Sequence, residues 1–273
     1  MSIEDLSIIL NRFPETERMP ALFVGHGSPM NAIEDNSYTA AWEALGKELP
    51  KPKAILCISA HWYTRGTFVH TLGHPETIYD FYGFPTELYE KAYPCPGAPK
   101  YADAVSKVVT KTEVIPETGW GIDHGAWVPL SRMYPLADIP VFQLSIDMTR
   151  DARLHYELGR ELRSFRDRGV LILGSGNIVH NLGDINWDPD ASPFDWASEF
   201  DAYVADHLVR GEHDPIIGYD SYGTSAARLA VPTPDHFLPL LYVIGSQYEG
   251  EPVSFPVQGI ALGSIGMRCV RIG

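Results

Sequence analysis

Four short stretches constrain this chain most: residues 21–24 (ALFV), 54–60 (AILCISA), 141–146 (VFQLSI) and 170–173 (VLIL) are almost unbroken apolar runs. A strand with one wet face alternates apolar and polar residues, whereas a run apolar throughout must be covered on both faces. The intervening segments carry helical patterns over 37–49, 101–110, 128–133, 151–166, 194–209 and 236–244. In the fourth of these, Leu154, Leu158 and Leu162 recur every four residues and predict one apolar stripe. The expected fold is therefore α/β and three-layered: a mostly parallel or mixed central sheet flanked by helices, with any active site at the rim formed by the strand C-termini. Residues 1–273 are expected to form a single domain.

Two regions depart from that alternation. Residues 66–99 are crowded with aromatics, proline and glycine and read as a long excursion with one short helix near Glu87. A loop of this length inside a compact fold usually serves function. A strand is expected around 113–115, and 257–261 with 267–272 read as a closing hairpin at a sheet edge. The prolines and glycines are scattered, so they mark loops and not a linker, and no repeat is evident.

Charge narrows the partners. Thirty-five acidic against 21 basic residues give a formal net charge of −14, which disfavours nucleic acid as a partner. No stretch approaches the roughly 18 apolar residues of a membrane helix. The N-terminal segment carries two acids and lacks the basic start of a signal peptide. Cys57, Cys95 and Cys269 are widely spaced and form no metal-binding pair motif. A reducing compartment, and hence a cytoplasmic location, is expected. The sequence sets no oligomeric state.

The histidines carry the chemistry. His26, His61 and His180 each lie at or just past the end of an expected buried strand, so they share one rim. Neighbouring parallel strands lie about 4.8 Å apart, close enough for imidazoles on adjacent strand ends to converge. His236, at the start of an expected helix, could join them. Converging imidazoles suit Fe, Zn or Cu, and three of them leave positions open for substrate. Position alone leaves each residue open between a ligand and an ordinary loop histidine. Gly25 and Gly27 favour the ligand reading for His26 by letting backbone approach a bound group. His124, between Asp123 and Gly125, is a candidate acid/base or substrate-binding group. His70, His74, His155, His207 and His213 are expected at the surface.

Six segments then occur in order: Gly25-His26-Gly27-Ser28-Pro29, Ser59-Ala60-His61-Trp62, Asp80-Phe81-Tyr82-Gly83-Phe84-Pro85, Gly121-Ile122-Asp123-His124-Gly125-Ala126-Trp127, Ser175-Gly176-Asn177-Ile178-Val179-His180-Asn181 and Pro234-Asp235-His236. Together they resemble the class III extradiol ring-cleaving dioxygenases, in particular the bacterial DOPA 4,5-dioxygenase-type branch. The resemblance implies one non-haem metal per chain, Fe(II) or Zn(II), with His26, His61 and His236 as ligands. It implies His180 as acid/base catalyst or fourth ligand, and His124 as a group contacting substrate or oxygen. A better-known branch replaces one histidine by glutamate. Here that position falls to His236, although Glu249 and Glu251 lie nearby in sequence.

The implied reaction is insertion of O2 into a catechol, with Phe81, Tyr82, Phe84 and Trp127 as expected pocket walls. His180 is followed by Asn181 where the plant pigment enzymes carry a His-Pro pattern, so the resemblance leaves the physiological catechol unspecified. The alternatives are a zinc-dependent hydrolase and a non-catalytic metal-binding relative. O2 dependence separates the first from a dioxygenase, and turnover separates the second.

Overall fold

A computed structural model describes residues 8–188, 191–222 and 225–273. Its main sheet has six strands: β1 (Ala21–Gly25), β2 (Ala54–Ser59), β3 (Val141–Gln143), β4 (Val170–Gly176), β5 (Val253–Ser254) and β6 (Val270–Ile272). Their order across the sheet is β3-β2-β4-β1-β6-β5. β3, β2, β4 and β1 run parallel, while β6 is antiparallel to both β1 and β5.

The unbroken apolar runs are explained by what lies on either side. Alternate residues of each parallel strand enter opposite cores: Ala21, Phe23, Leu56, Ile58 and Ile172 on one face, Leu22, Val24, Ile55, Cys57 and Leu173 on the other. The second face is covered by α1 (Ser37–Glu48) and α3 (His124–Met133) through Trp42, Leu45, Trp127 and Leu130. The first is covered by α2 (Pro99–Val108), α4 (Ala152–Leu162), α5 (Asp195–Arg210) and α6 (Leu238–Gly245). This is the expected three-layer α/β arrangement, and each core side chain removed from water contributes about 1.5–3 kcal/mol.

Register levels the strand ends. Gly25 pairs with Gly176 and Ser59 with Ser175, so β1, β2 and β4 terminate at one height. The backbone N–H of His26 then donates to the Gly176 carbonyl (3.0 Å) and that of Ala60 to Ser175 (2.9 Å). Residues following β1 and β2 are thereby delivered to one rim.

Several expectations change. The closing hairpin forms, Ile260–Ala261 pairing with Ile265–Gly266 and the Met267 and Cys269 N–H groups donating to the Gly259 and Val257 carbonyls (2.8 and 2.9 Å), but its second arm is not an edge: β6 enters the main sheet between β1 and β5. The stretch 141–146 splits, because Ile146–Asp147 leaves the main sheet to pair with Tyr63–Thr64. α3 starts at His124, earlier than expected, because the Asp123 carboxylate accepts from the Ala126 N–H (3.2 Å) and caps it. α6 starts at Leu238, so His236 sits in the turn before it and not on the helix. The 66–99 excursion is partly regular, with Thr67–His70 pairing in parallel with Val114–Glu117 and a short helix at Thr86–Glu90. Among the described residues no helix is long and apolar enough to cross a membrane.

Candidate metal centre

Three histidines from distant parts of the chain present one nitrogen each to a common point. His26 follows β1, His61 lies two residues beyond β2, and His236 is held where the Asn177 N–H donates to its carbonyl (2.8 Å). One ring nitrogen of each lies within 4.8 Å of the others. His26 and His236 are buried and His61 partly so.

Two hydrogen bonds and, for His61, an ion-pair contact orient the rings. Ser175 Oγ–H donates to the Gly125 carbonyl, so toward His26 Nδ1, 3.1 Å away, that oxygen acts as acceptor. His236 Nδ1 lies 2.6 Å from Asp235 Oδ2, and His61 Nδ1 lies 3.4 Å from Asp80 Oδ2. A carboxylate oxygen only accepts. Each Nδ1 therefore carries the proton and each Nε2 is the inward nitrogen, the tautomer following from the network. His26 Nε2 and His61 Nε2 then stand 3.1 Å apart with lone pairs facing. Two nitrogens bound to one metal at about 2.0–2.1 Å lie roughly 3.0–3.4 Å apart, so the donor set fits a single divalent ion.

Electrostatics agree. Burial, reinforced by the neighbouring imidazoles, holds His26 and His61 well below the ordinary histidine range, so both are neutral donors at pH 7. Burial raises the Asp235 carboxyl, but its hydrogen bond and charge interaction with His236 outweigh this and bring it to about 2. Asp80 is likewise pushed up by burial and then taken below its usual value by His124. Asp123, fully buried, is raised by burial and by Asp80. It accepts from Ser59 Oγ (2.6 Å) and Gln143 Nε2 (2.7 Å), and the His61 N–H lies 3.3 Å from that same serine oxygen.

His124 and His180 flank this cluster differently. His124 Nδ1 lies 2.9 Å from Asp80 Oδ2, and its ring centroid is 3.8 Å from that of His61. His180 stacks flat on His236, centroids 3.5 Å apart at 6°. It is not in the group of converging donors. β4 runs on to Gly176, and His180 lies further along, where its N–H donates to the Ala230 carbonyl (2.8 Å). Burial foremost, with the His236 charge, lowers His180 to about 3.

Residues 20–255 match the family described as the catalytic LigB subunit of aromatic ring-opening dioxygenase. The chain belongs to the LigB family. That places it among the extradiol aromatic ring-opening dioxygenases, the class its six segments resemble. It is 48% identical over 260 residues to the 4,5-DOPA dioxygenase extradiol of Escherichia coli (strain K12), covering 94% of this chain and 95% of that one. It is 40% identical over 234 residues to the protein of the same name from Beta vulgaris, covering 83% and 86%. The crystal structure of an uncharacterized protein from Escherichia coli K12 superposes with a TM-score of 0.82 at 44% identity, covering 94% of this chain and all of that one.

Within this LigB-family site, other expectations are corrected. Gly25 and Gly27 serve packing and not ligand approach: a Cβ on Gly25 would lie 2.6 Å from the Gly266 carbonyl oxygen, and Gly27 has φ +59°. Glu251 pairs with buried Arg166 (2.7 Å) and Glu249 lies in the same turn, so neither joins the donors. Phe81 packs edge-on against His124 (5.5 Å) and Phe84 against Phe81, but Tyr82 is 92% exposed and Trp127 is buried in the core. His70 and His155 are fully buried, not at the surface. A groove of about 770 Å³, lined by Lys47, Lys91, Arg132 and Leu136 among others, contains none of these histidines. Asp80, Asp235 and Ser175 were legible only as members of the ordered segments, and sequence reasoning gave them no role.

Proposed function

We propose that this LigB-family chain cleaves a catechol ring outside the diol with O2, using one metal held by His26, His61 and His236. The observation that carries the reading is the set of three Nε2 atoms facing one point, each with its Nδ1 directed at an oxygen. Iron(II) is the working metal, because O2 chemistry needs a redox-active ion; zinc competes for the same nitrogens. When bound, the iron supplies a Lewis acid for the two catechol oxygens and an electron route to O2.

The protein's own groups handle protons and orientation. His124, with Nδ1–H directed at Asp80, presents an unprotonated Nε2 that accepts a catechol proton. The imidazolium so formed, paired with Asp80, stabilises negative charge developing on oxygen. His180, neutral and stacked on His236, serves as the second acid/base and returns a proton as the ring opens. Phe81 and Phe84 exclude water beside His124. The product is a muconic semialdehyde.

The reading takes residues 1–273 as one catalytic unit, supported by ligands drawn from positions 26 to 236 around a single sheet rim. Cys57, Cys95 and Cys269, all free and buried, support a cytoplasmic setting. Anaerobic purification, loading with Fe(II) and exposure to O2 with a catechol panel, DOPA first, should give a yellow semialdehyde with equimolar O2 uptake. Silence across the panel at full iron occupancy would sink the proposal.

A further inference from the structure

Asp80 reaches the site from the aromatic excursion, a long way in sequence from the strand ends. The path is set by backbone pairing: the Ile78 N–H donates to the Ile122 carbonyl and the Ile122 N–H to the Glu76 carbonyl, both at 2.8 Å. Trp127 Nε1 donates to the Ile78 carbonyl (3.0 Å) and locks the segment onto α3. Two residues beyond Ile78, Asp80 therefore meets His124, two residues beyond Ile122. Asp80 Oδ1 accepts the His124 backbone N–H (2.9 Å), while Oδ2 faces His124 Nδ1 at 2.9 Å and His61 Nδ1 at 3.4 Å.

One carboxylate thus addresses a proposed metal ligand and a proposed proton-handling group at once. Its oxygens accept and never donate, so the hydrogen bond holds His124 as the Nδ1–H tautomer, and the 3.4 Å ion-pair contact favours a proton on His61 Nδ1 as well, leaving both Nε2 atoms free on the site side. Asn at this position could not reproduce the pattern. Its carbonyl oxygen can replace either Oδ1 or Oδ2, and its NH2 would then face an N–H donor at the other position. His124 relieves that conflict by moving its proton to Nε2, whereas His61 cannot do so while Nε2 binds metal.

We infer that Asp80 is a positioning residue that sets the tautomers of His61 and His124 together, so that metal affinity and proton transfer depend on the same side chain. The inference rests on the ligand and base roles proposed above. The test uses the zinc-loaded full chain with 15N-labelled histidine and long-range 1H–15N correlation spectra, alongside zinc affinity by chelator competition. In the wild type His124 should read as the Nδ1–H tautomer. Asp80→Asn should convert it to Nε2–H and weaken zinc binding about 10–100-fold, and with iron should lower kcat more than it changes KM. A wild-type His124 protonated on Nε2, or an Asp80→Asn chain lacking either the tautomer change or the loss of affinity, would overturn the inference. If circular dichroism finds that variant unfolded, the wild-type spectrum alone decides. Tautomers and zinc affinity are read without turnover, so a wild type that cleaves no catechol counts against the ring-cleaving reading and not against Asp80.

Discussion

The sheet rim and the seam between α4 and α6 each bury histidine, and they use it in opposite ways. His26 at the rim and His155 on α4 are both removed from solvent, and burial lowers both, His155 to about 4. His26 faces other imidazoles through Nε2 and an accepting oxygen through Nδ1. His155 Nδ1 lies 2.9 Å from the Tyr242 hydroxyl, and its Nε2 meets no hydrogen-bond partner among the described residues. A depressed imidazole is thus a consequence of burial anywhere in the protein. A metal centre additionally needs convergent lone pairs and outer oxygens that fix the tautomers.

The largest expected contrast comes from truncating each kind. His236→Ala should abolish stoichiometric metal binding and O2 uptake while the chain stays folded, as read by metal analysis and circular dichroism; retained metal would remove His236 from the donors. Next is acid. His155 titrates near 6.5 in the unfolded chain and at about 4 when folded. Above pH 6.5 neither state binds the proton. Between 6.5 and about 4 only the unfolded chain does, so stability is lost as the pH is lowered through that window, by up to about 3 kcal/mol. Comparing thermal unfolding of wild type with a His155→Leu/Tyr242→Phe double variant isolates this contribution, and the double variant should show the shallower decline.

Smaller effects sharpen the comparison. A Cβ at Gly125 would lie 2.8 Å from His61 Cδ2, so Gly125→Ala should displace that ring, weaken metal binding and destabilise the fold by about 2 kcal/mol. Unchanged metal affinity would show that the rim tolerates movement of His61. At the seam, His155→Leu alone should cost about 1–2 kcal/mol by stranding the Tyr242 hydroxyl, the double variant should be near neutral, and neither should alter metal binding.

The seam also shows where periodicity misleads. Leu154, Leu158 and Leu162 suggest one stripe, yet the buried residues of α4 are His155, Leu158, Gly159 and Leu162. The true face is rotated toward His155, and spacing by four alone does not fix that phase. A Cβ on Gly159 would lie 2.8 Å from the Tyr242 Cα, so close approach of α6 selects the face. The terminal strands show a related limit. Apolar content and proximity in sequence give the hairpin in which β6 pairs with β5, but they do not encode its second partner, β1, some 250 positions earlier.

By itself the sequence determined the covered parallel strands and the placing of His26 and His61 just past strand ends, because both follow from local apolar runs and where they stop. Its ordered segments also carried the family. Tertiary structure decided the rest: that His236 joins His26 and His61, that His180 stacks on His236 and does not converge with them, and that Asp80 returns from a distant excursion to address two rings. Those outcomes depend on register, on backbone pairing across large separations and on which oxygen accepts from which nitrogen. None of these is a property of a local stretch of chain.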